Sequence, residues 1–545
     1  MQNRCGLRLS RFSGLLSAMN QNNSSQEASQ QDPLFPHRQG LGLSEQELHR
    51  RQALNQLRAL GIDPYPSAAF HRTHSTQDIH RDFKDVEVDS WSSVSLAGRL
   101  MSRRIMGKAS FAELQDSTGR LQVYINRDEL CPGDNKDLYN EVFKKHCDIG
   151  DWVGVRGRIF RTQVGEISIH VEEFVFLSKA LRPLPVVKRD EQGRVYDGFT
   201  DPELRYRMRY VDLVVNPEVR QVFMLRSRMI ELMRQFFNRH GYLEVETPVL
   251  QPMYGGASAR PFKTHHHTLD MPLYLRIANE LYLKRLIVGG FEGVYEFARD
   301  FRNEGMSRFH NPEFTMLELY VAFQDYHWMM HQTEALLEEM AVALHQQTAL
   351  KVGPHTIDFK VPYRRVTLYD SISEKVGVQV DDLDETALRQ LAQKYRIETD
   401  VSMGRAKLLD ALFGELVEPN LIQPTFVTDY PVEMSPLAKV HRDKPGLVER
   451  FELICNGKEL ANAFSELNDP LDQRDRFEAQ LALGLRGDPE AMMLDEDFLR
   501  ALEFGMPPTA GIGIGIDRLA MMMTNSASIQ DVLFFPQMRP ERHDG

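Results

Sequence analysis

The chain has 545 residues, 42% hydrophobic and 26% charged, with a formal net charge of -12 at pH 7. This length accommodates two or three domains with sizeable cores, and the composition is that of a globular protein. No run of eighteen apolar residues appears, which excludes a transmembrane helix. The negative net charge argues against a protein that simply coats nucleic acid. The four cysteines show no CxxC spacing, so a zinc site or a disulfide framework is not indicated.

The chain begins with a polar segment, 1–41, that we predict to be a disordered extension. Its first 26 residues carry three arginines and no acid, which resembles an organellar transit peptide. The Asn-, Gln- and Ser-rich stretch 20–32 favours a different interpretation, a disordered tail with Met19 as the true start. We therefore expect a cytoplasmic protein. A helical segment is predicted to follow at 42–90.

Residues 91–180 change to short, alternating or β-branched runs separated by turn signals, which predict a small closed barrel of the OB type. Between Arg99 and Arg127 this barrel is locally basic, with six basic residues against Glu113 and Asp116. Phe111 and Tyr124 offer rings on which single-stranded bases stack. Aromatic residues in small barrels also belong to cores, but charge, aromatic content and fold type together favour nucleic-acid binding.

A proline-containing connector at 181–216 leads to a large domain at 217–540. This domain opens with an amphipathic helix, predicted at Pro217–His240, which Gly241 ends. The chain contains no GxxxxGK[ST] sequence and no HIGH- or KMSKS-like pair. Any ATP it uses is therefore not held by a P-loop or by a Rossmann-type nucleotide fold.

The stretch Phe301–Tyr320 reads as the end of one strand, a charged loop and a second strand. Glu318 and Tyr320 share one face of the second strand with an aromatic residue, and polar groups there need partners. We interpret this face as the floor of a polar ligand site. Arg302, at the strand end, is suited to bind a carboxylate or an α-phosphate.

Glycines alternate with isoleucines in Gly511–Gly515, which leaves one face of that strand as bare backbone. A flat ligand can approach such a face closely. Asp517 and Arg518 then open a helix, and Arg518 can stack on a base or meet a phosphate.

Asn456–Gly457 between two apolar runs predicts a type I′ hairpin. Glu452 and Glu459 then project from one sheet face, where two carboxylates repel unless a cation separates them, so we predict magnesium. Asn462, Phe464 and Glu466, which we also consider for the pocket, have the opposite strand parity. A bulge or a twist near Leu460–Asn462 is required if all of these side chains line one pocket.

These elements resemble the three motifs of class II aminoacyl-tRNA synthetases: helix–strand–Pro248, "FRNE…HNPEFTMLELY" and "GIGIGIDR". The preceding barrel resembles subclass IIb. The segments "YGGASARPFKTHHH" and "YLRIANELYLKRLIVGGFEGVYEF" are similar to bacterial-type lysyl-tRNA synthetases. The resemblance implies an α+β fold, in which an N-terminal OB barrel precedes a catalytic domain built on an antiparallel sheet flanked by helices.

The resemblance also implies roles for individual positions. The catalytic arginines are Arg302 and Arg518. The ATP-binding residues are Arg302, Glu304, His310, Asn311, Phe314, Glu452 and Arg518, with the adenine between Phe314 and Arg518. The lysine-binding residues are Gly256, Glu280, Met316, Glu318, Tyr320, Asn462, Phe464 and Glu466. The magnesium ligands are Glu452 and Glu459, for more than one ion per subunit. The anticodon-reading residues are Arg99, Phe111 and Gln122, joined by Glu172 or Glu173.

The implied reaction is activation of L-lysine by ATP and transfer of the lysyl group to tRNA(Lys), performed by a homodimer without a membrane association. Three alternatives remain open: an aspartyl- or asparaginyl-type enzyme, an enzyme that lysylates a protein side chain, and a tRNA-binding paralogue without catalysis. An acid opposite the substrate's ammonium group favours lysine over aspartate.

Overall fold

A computed structural model describes residues 43–185, 188–189, 195–196, 198–400, 403–485 and 493–540. The chain divides into two compact units, Met1–Leu184 and Pro185–Gly545. The extension and transit-like segment predicted at 1–41 lie outside the described residues. In the part of the chain that the structure covers, no helix is long and apolar enough to cross a membrane.

The first unit contains a closed five-stranded barrel with the strand order β1-β2-β3-β5-β4, as predicted for an OB fold. Its strands are β1 (Val94–Met106), β2 (Ala109–Gln115), β3 (Arg120–Asn126), β4 (Trp152–Arg161) and β5 (Ile167–Ser178). Its helices are α1 (Glu45–Ala59), α2 (Thr76–Asp82) and α3 (Arg127–Leu130). A π-helical segment, Leu138–His146, lies between β3 and β4.

Alternation along the strands decides which barrel side chains are buried. Leu114 and Leu121 point into the core and are 2% and 1% exposed. Phe111 and Tyr124, at the other parity, face each other across β2 and β3 and are half-buried on the outer surface. The two rings therefore do not belong to the barrel core, because successive strand residues point to opposite faces.

The second unit is built on an eight-stranded sheet with flanking helices. Its strands are β6 (Lys188–Arg189), β7 (Val195–Tyr196), β8 (Leu243–Glu244), β9 (Leu250–Gln251), β10 (Lys263–His266), β11 (Met271–Leu275), β12 (Gly293–Phe301), β13 (Glu313–Ala322), β14 (Ala349–Val352), β15 (His355–Asp358), β16 (Arg364–Thr367), β17 (Thr425–Pro431), β18 (Leu447–Cys455), β19 (Lys458–Ser465) and β20 (Thr509–Gly515). Its helices are α4 (Pro202–Arg207), α5 (Arg209–Val215), α6 (Pro217–Arg239), α7 (Glu280–Val288), α8 (Tyr326–His345), α9 (Leu368–Val376), α10 (Glu385–Lys394), α11 (Arg405–Leu416), α12 (Pro470–Leu485), α13 (Glu496–Glu503) and α14 (Ile516–Thr524).

The large sheet has the order β16-β17-β18-β19-β20-β13-β12-β8. Its pairs are antiparallel except at the two edges, where β16–β17 and β12–β8 are parallel. The antiparallel sheet with flanking helices that the sequence predicts is thus confirmed, with one parallel pair added at each edge. Helix α6 occupies almost the whole of the predicted range.

The two faces of the sheet have different neighbours. Leu317, Leu319, Ile512 and Ile514 lie on the face that packs against α6, α8 and α14 in the main hydrophobic core. Residues of the other parity, including Glu318, are thereby directed to the opposite face. The polar set predicted from the sequence shares that second face, so the core fixes where a ligand site can lie.

Candidate active site

The glycine strand β20 lies between β13 and β19 and brings their polar residues onto one floor. Its register with both neighbours is regular, which aligns the second-face residues of the three strands side by side. The cross-strand pairs on the β13 side are Met316–Gly515, Glu318–Gly513 and Tyr320–Gly511. The pairs on the β19 side are Asn462–Gly513 and Phe464–Gly511.

The glycines make room for neighbouring acids. An ideal Cβ built on Gly511 would lie 2.1 Å from Oε1 of Glu466, and one on Gly513 would lie 3.0 Å from Oε1 of Glu318. A side chain at 511 cannot be accommodated without displacing the Glu466 carboxylate. From the sequence, we expect a flat ligand against the bare backbone of this strand. The structure shows that Gly511 and Gly513 also leave space for the carboxylates of Glu466 and Glu318.

The hairpin between β18 and β19 has the predicted turn, with φ values of 52° and 69° at Asn456 and Gly457. The register shifts between Leu453 and Ile454, which leaves Leu460 as an extra residue on β19. Glu459 therefore pairs with Ile454 before this bulge, while Glu452 pairs with Asn462 beyond it. Both observed pairings are compatible with one face, and the bulge required by the sequence is confirmed.

The Glu452 carboxyl lies in an electrostatically unfavourable place for a negative charge. Burial raises its pKa to about 7, and the charge of Glu459 contributes in the same direction. Arg450 opposes this effect by pairing with Glu452 at 2.6 Å. Two close acidic side chains on one face form a hard oxygen donor set of the kind that binds Mg²⁺.

No group of three or more His, Cys, Asp or Glu side chains is arranged to hold a metal among the residues that the structure describes. Glu452 and Glu459 would thus supply two protein ligands, and phosphate oxygens and water would complete the coordination. That partial donor set is typical of magnesium bound together with a nucleotide.

The loop between β12 and β13 carries Arg302, whose guanidinium lies 5.1 Å from the ring centre of Phe314. Its Nε is buried and has no hydrogen-bond partner among the described residues, although buried polar atoms are normally paired. In the structure, Arg302 contacts the Phe314 ring. From the sequence, we expect Arg518 on the opposite side of that ring, with a nucleotide between them.

His310 connects this loop to helix α14. Its Nδ1 lies 2.7 Å from Oγ of Ser307, and its Nε2 lies 3.0 Å from the guanidinium of Arg518. Burial, and then the Arg518 charge, lower the pKa of His310, so the neutral ring is favoured. Arg518 also donates to the backbone oxygen of Glu459 at 2.8 Å. The structure therefore brings His310, Arg518 and Glu459 together.

Two further residues predicted to contact the nucleotide, Glu304 and Asn311, belong to the same loop between β12 and β13. Glu304 is exposed. Asn311 donates from Nδ2 to the backbone oxygen of Glu313 at 2.6 Å.

The closed end of the site is lined by buried acids. Glu280, Glu318 and Glu466 are 4%, 8% and 2% exposed. Tyr320 donates its hydroxyl to Oε2 of Glu318 at 2.9 Å. Burial, with the neighbouring Glu280 charge next, raises the pKa of the Glu318 carboxyl well above its usual range. Burial raises the pKa of Glu466 to about 8, although the Lys284 charge opposes the shift.

Gly256 borders the same end of the site. Its φ is +86°, in the region that favours glycine. A Cβ there would lie 3.1 Å from Cβ of Ala278 and 3.3 Å from Cβ of Glu280. A larger residue would therefore be strained and would press on Glu280.

Three charged residues at this site were not identified from the sequence. Lys284 binds Glu280 and Glu466, Arg450 pairs with Glu452, and Asp300 is 1% exposed beside Arg276. The spacing of Glu280 and Lys284, four residues apart on helix α7, could have indicated the first. Arg450 has the same strand parity as Glu452, which could have indicated the second.

The barrel of the first unit presents an aromatic surface. Phe111 and Tyr124 have ring centres 5.2 Å apart, and the ring of His170 lies 4.8 Å from Tyr124. Gln122 is the next outward residue on β3 and pairs with Glu113. The half-buried rings of Phe111 and Tyr124 beside polar side chains form a surface suited to unstacked bases.

Arg99 lies apart from that surface. It opposes Gln115, four residues along β2 from Phe111, and donates to the backbone oxygen of Gly150 at 2.7 Å. Part of the local positive charge is also compensated, since Arg120 pairs with Glu113 at 3.1 Å. Glu172 and Glu173 likewise pair with arginines, Arg158 at 3.1 Å and Arg156 at 2.7 Å respectively.

Two family models match the chain: tRNA synthetases class II (D, K and N) over residues 201–539, and OB-fold nucleic acid binding domain over residues 94–177. The chain is 61% identical over 502 residues to the lysine–tRNA ligase of Porphyromonas gingivalis, covering 92% of this chain and 87% of that protein. It is 59% identical over 500 residues to that of Christiangramia forsetii, with the same two coverages. It is 58% identical over 502 residues to that of Azobacteroides pseudotrichonymphae, covering 92% of this chain and all of that protein.

The barrel and the sheet-borne site thus define an aminoacyl-tRNA synthetase of class II. Within that class, the chain belongs to the family of the lysine–tRNA ligases.

Proposed function

We propose that this chain activates L-lysine with ATP and transfers the lysyl group to the 3′ end of tRNA(Lys). The observation that carries the proposal is the group of buried acids Glu280, Glu318 and Glu466 at one end of the site. At the other end lies Arg302, whose Nε is buried without a hydrogen-bond partner among the described residues. An amino acid with a carboxylate at one end and an ammonium group at the other is complementary to this order of charges.

In the first step, Arg302 binds the carboxylate of lysine and the α-phosphate of ATP. The carboxylate oxygen attacks the α-phosphorus in line, and pyrophosphate leaves. Arg518 and His310 lie at the end of the site suited to the triphosphate, with Phe314 beneath the adenine and Glu304 and Asn311 at the rim. Catalysis then consists of positioning and charge neutralisation.

Glu452 and Glu459 are the proposed magnesium ligands. A divalent cation bound there would supply electrostatic stabilisation for the charge that develops on the phosphates. The raised pKa of Glu452 supports this role, because a site that disfavours a second negative charge favours a cation.

Selection of lysine is proposed to rest on Glu280 for the α-ammonium group and on Glu466 with Tyr320 for the ε-ammonium group. Gly256, Met316, Asn462 and Phe464 shape the remainder, and Glu318 accepts the Tyr320 hydroxyl. An aspartate substrate would place a carboxylate against these acids, which disfavours the aspartyl and asparaginyl alternative.

The proposed tRNA contact on the barrel is the surface of Phe111, Tyr124 and Gln122, which would stack and read anticodon bases. Arg99 would contribute through its charge.

We further propose a cytoplasmic homodimer. Helix α6 supports the dimer because Met224 is 56% exposed beside stacked Phe223 and Phe534, whose ring centres lie 3.8 Å apart. Sedimentation of the M224E variant should show a monomer if this face is the seam.

The deciding experiment is ATP–pyrophosphate exchange with each of the twenty amino acids. Lysine should be the best substrate, and E466Q should lose exchange with lysine. Exchange with aspartate in place of lysine would refute the proposal. Absence of exchange by a folded wild-type protein would support the non-catalytic alternative instead.

A further inference from the structure

A lysine of the chain itself lies inside the acidic end of the site. Lys284 is fully buried on helix α7. Its Nζ donates to Oε1 of Glu280 at 2.5 Å and forms a closer ion pair with Oε2 of Glu466. These two acids belong to a helix and to the end of a strand, and one ammonium group joins them.

Lys284 uses only one oxygen of each carboxylate. Both oxygens of Glu466 are buried without a hydrogen bond from the described residues, but Oε2 has its ion pair with Lys284. Oε1 has no such pair and is the atom that a Cβ at Gly511 would meet. That oxygen therefore lies beside the bare face of β20. A buried unpaired carboxylate oxygen is costly, so its position beside the ligand floor points to a ligand that donates to it.

The charges at this end support the same interpretation. Three buried acids, Glu280, Glu318 and Glu466, share the space with a single buried lysine, which leaves two negative charges when all four are ionised. A substrate lysine carries two ammonium groups. Without Lys284 the pocket would hold an excess acid that a single substrate could not neutralise.

We propose that Lys284 is a positioning residue that holds the Glu280 and Glu466 carboxylates side by side, each with one oxygen directed to an ammonium group of the substrate lysine. The proposal rests on the lysine-binding roles proposed above for these two acids. Lys284 is then a specificity determinant that touches the acids and not the reacting atoms.

Replacing Lys284 by methionine keeps the length of the side chain and removes its charge. The groups around it are Glu280 on its own helix, Glu466 directly after β19, Glu318 and Tyr320 on β13, Arg450 on β18 and the ring of Phe498 on α13. Because the Lys284 charge lowers the pKa of both Glu280 and Glu466, its removal raises both. The carboxylates of the variant then keep their protons to a higher pH than those of the wild type, and they bind ammonium groups less well at neutral pH.

The test measures lysine- and ATP-dependence of ATP–pyrophosphate exchange for K284M between pH 7 and 9. We expect the KM for lysine to rise by about tenfold or more at pH 7, with the KM for ATP within about twofold. The ratio of the K284M to the wild-type KM for lysine should shrink as the pH rises, because deprotonation restores the carboxylates.

The chain offers a matched control in Lys179. This lysine is also fully buried between two carboxylates, Asp148 at 2.5 Å and Asp151 at 2.9 Å, but it belongs to the barrel unit. K179M should lower the melting temperature and leave the KM for lysine unchanged. If K284M does not fold, K284Q, which retains a hydrogen-bond donor for one carboxylate, carries the same measurement.

If a folded variant at position 284 has the wild-type KM for lysine at every pH, the inference is wrong and Lys284 is a packing residue. The failure of the underlying assignment has a different signature. In that case E466Q itself would retain normal exchange with lysine, whatever the behaviour of K284M.

Discussion

Gly511 lies directly against Glu466, so that a single added carbon atom at 511 would approach Oε1 of that carboxylate to 2.1 Å. The contact joins the glycine-alternating strand to the acid that we assign to the substrate's ε-ammonium group. Backbone and carboxylate together form this end of the pocket, and neither would suffice alone.

The G511A substitution should therefore impair lysine recognition selectively. The methyl group would lie 2.1 Å from Oε1 of Glu466 and 2.5 Å from the ring of Tyr320, and it displaces both side chains. We therefore expect the KM for lysine in ATP–pyrophosphate exchange to rise by about tenfold or more. Gly414 on helix α11 has no atom within 4 Å of an added Cβ, and G414A is the control. G414A should slightly raise stability, by up to about 1 kcal/mol, without changing that KM. An unaltered lysine KM in G511A would contradict the assigned pocket.

The E459Q substitution should remove a magnesium ligand. We expect exchange to slow by about 100-fold and to require a higher magnesium concentration. Titration of the exchange rate with magnesium chloride measures both effects. Glu418 pairs with Lys458 of the same hairpin at 3.4 Å, so E418Q is a neighbouring control that should keep the wild-type magnesium dependence. Equal behaviour of E459Q and E418Q would argue against the metal assignment.

Asp300 should make stability depend on pH. Burial raises its pKa to about 6. Neither carboxylate oxygen accepts a hydrogen bond from the described residues, although Nε of Arg276 lies 3.2 Å from Oδ1. The folded state holds the proton more tightly than the unfolded state, so the wild type loses stability as the pH rises through roughly 4 to 6. D300N lacks this loss and should gain about 2–3 kcal/mol relative to the wild type between pH 4 and 7.

Asp116 in the barrel provides the opposite case. Burial also opposes its charge, but hydrogen bonds from Thr76 and Thr118 outweigh that effect and lower its pKa. D116N should therefore destabilise the protein more at neutral pH than at pH 3. Denaturant unfolding across pH measures both variants. Parallel pH profiles for D300N and D116N would refute the argument.

The F111A substitution should separate the two steps of the reaction. Loss of one base–aromatic stack costs about 1–3 kcal/mol, which lowers kcat/KM for aminoacylation of tRNA by roughly 5- to 150-fold. ATP–pyrophosphate exchange requires no tRNA and should stay at the wild-type rate, so it serves as the internal control. A reduction of exchange, or no effect on aminoacylation, would count against a base-binding role for Phe111.

Local patterns carried much of the prediction. The turn at Asn456–Gly457, the two-residue period around Glu318 and the glycine alternation before Arg518 each follow from short-range rules, and the structure contains all three elements. The barrel strands were equally readable, because turn signals and alternation recur over short distances. The bulge at Leu460 followed from a parity conflict within the sequence itself.

Local sequence patterns did not predict the charge contacts between residues that are distant in sequence. From the sequence, Arg99 is grouped with Phe111. In the structure it lies opposite Gln115 at the far end of β2 and donates to the backbone oxygen of Gly150. The two carboxylates around Lys284 belong to Glu280 on α7 and to Glu466 directly after β19, which are 186 residues apart in sequence. Sequence spacing gives no information about which of many acids a buried lysine meets after folding.

The sequence by itself determined the strands, the turn, the glycine face and the identity of the acids, because these depend on periodicity and side-chain chemistry. Only the tertiary structure decided which oxygen of Glu466 remains available and that Gly511 makes room for it. Those features depend on how separate strands and a helix pack around one space, where a displacement of one carbon atom decides whether a carboxylate fits.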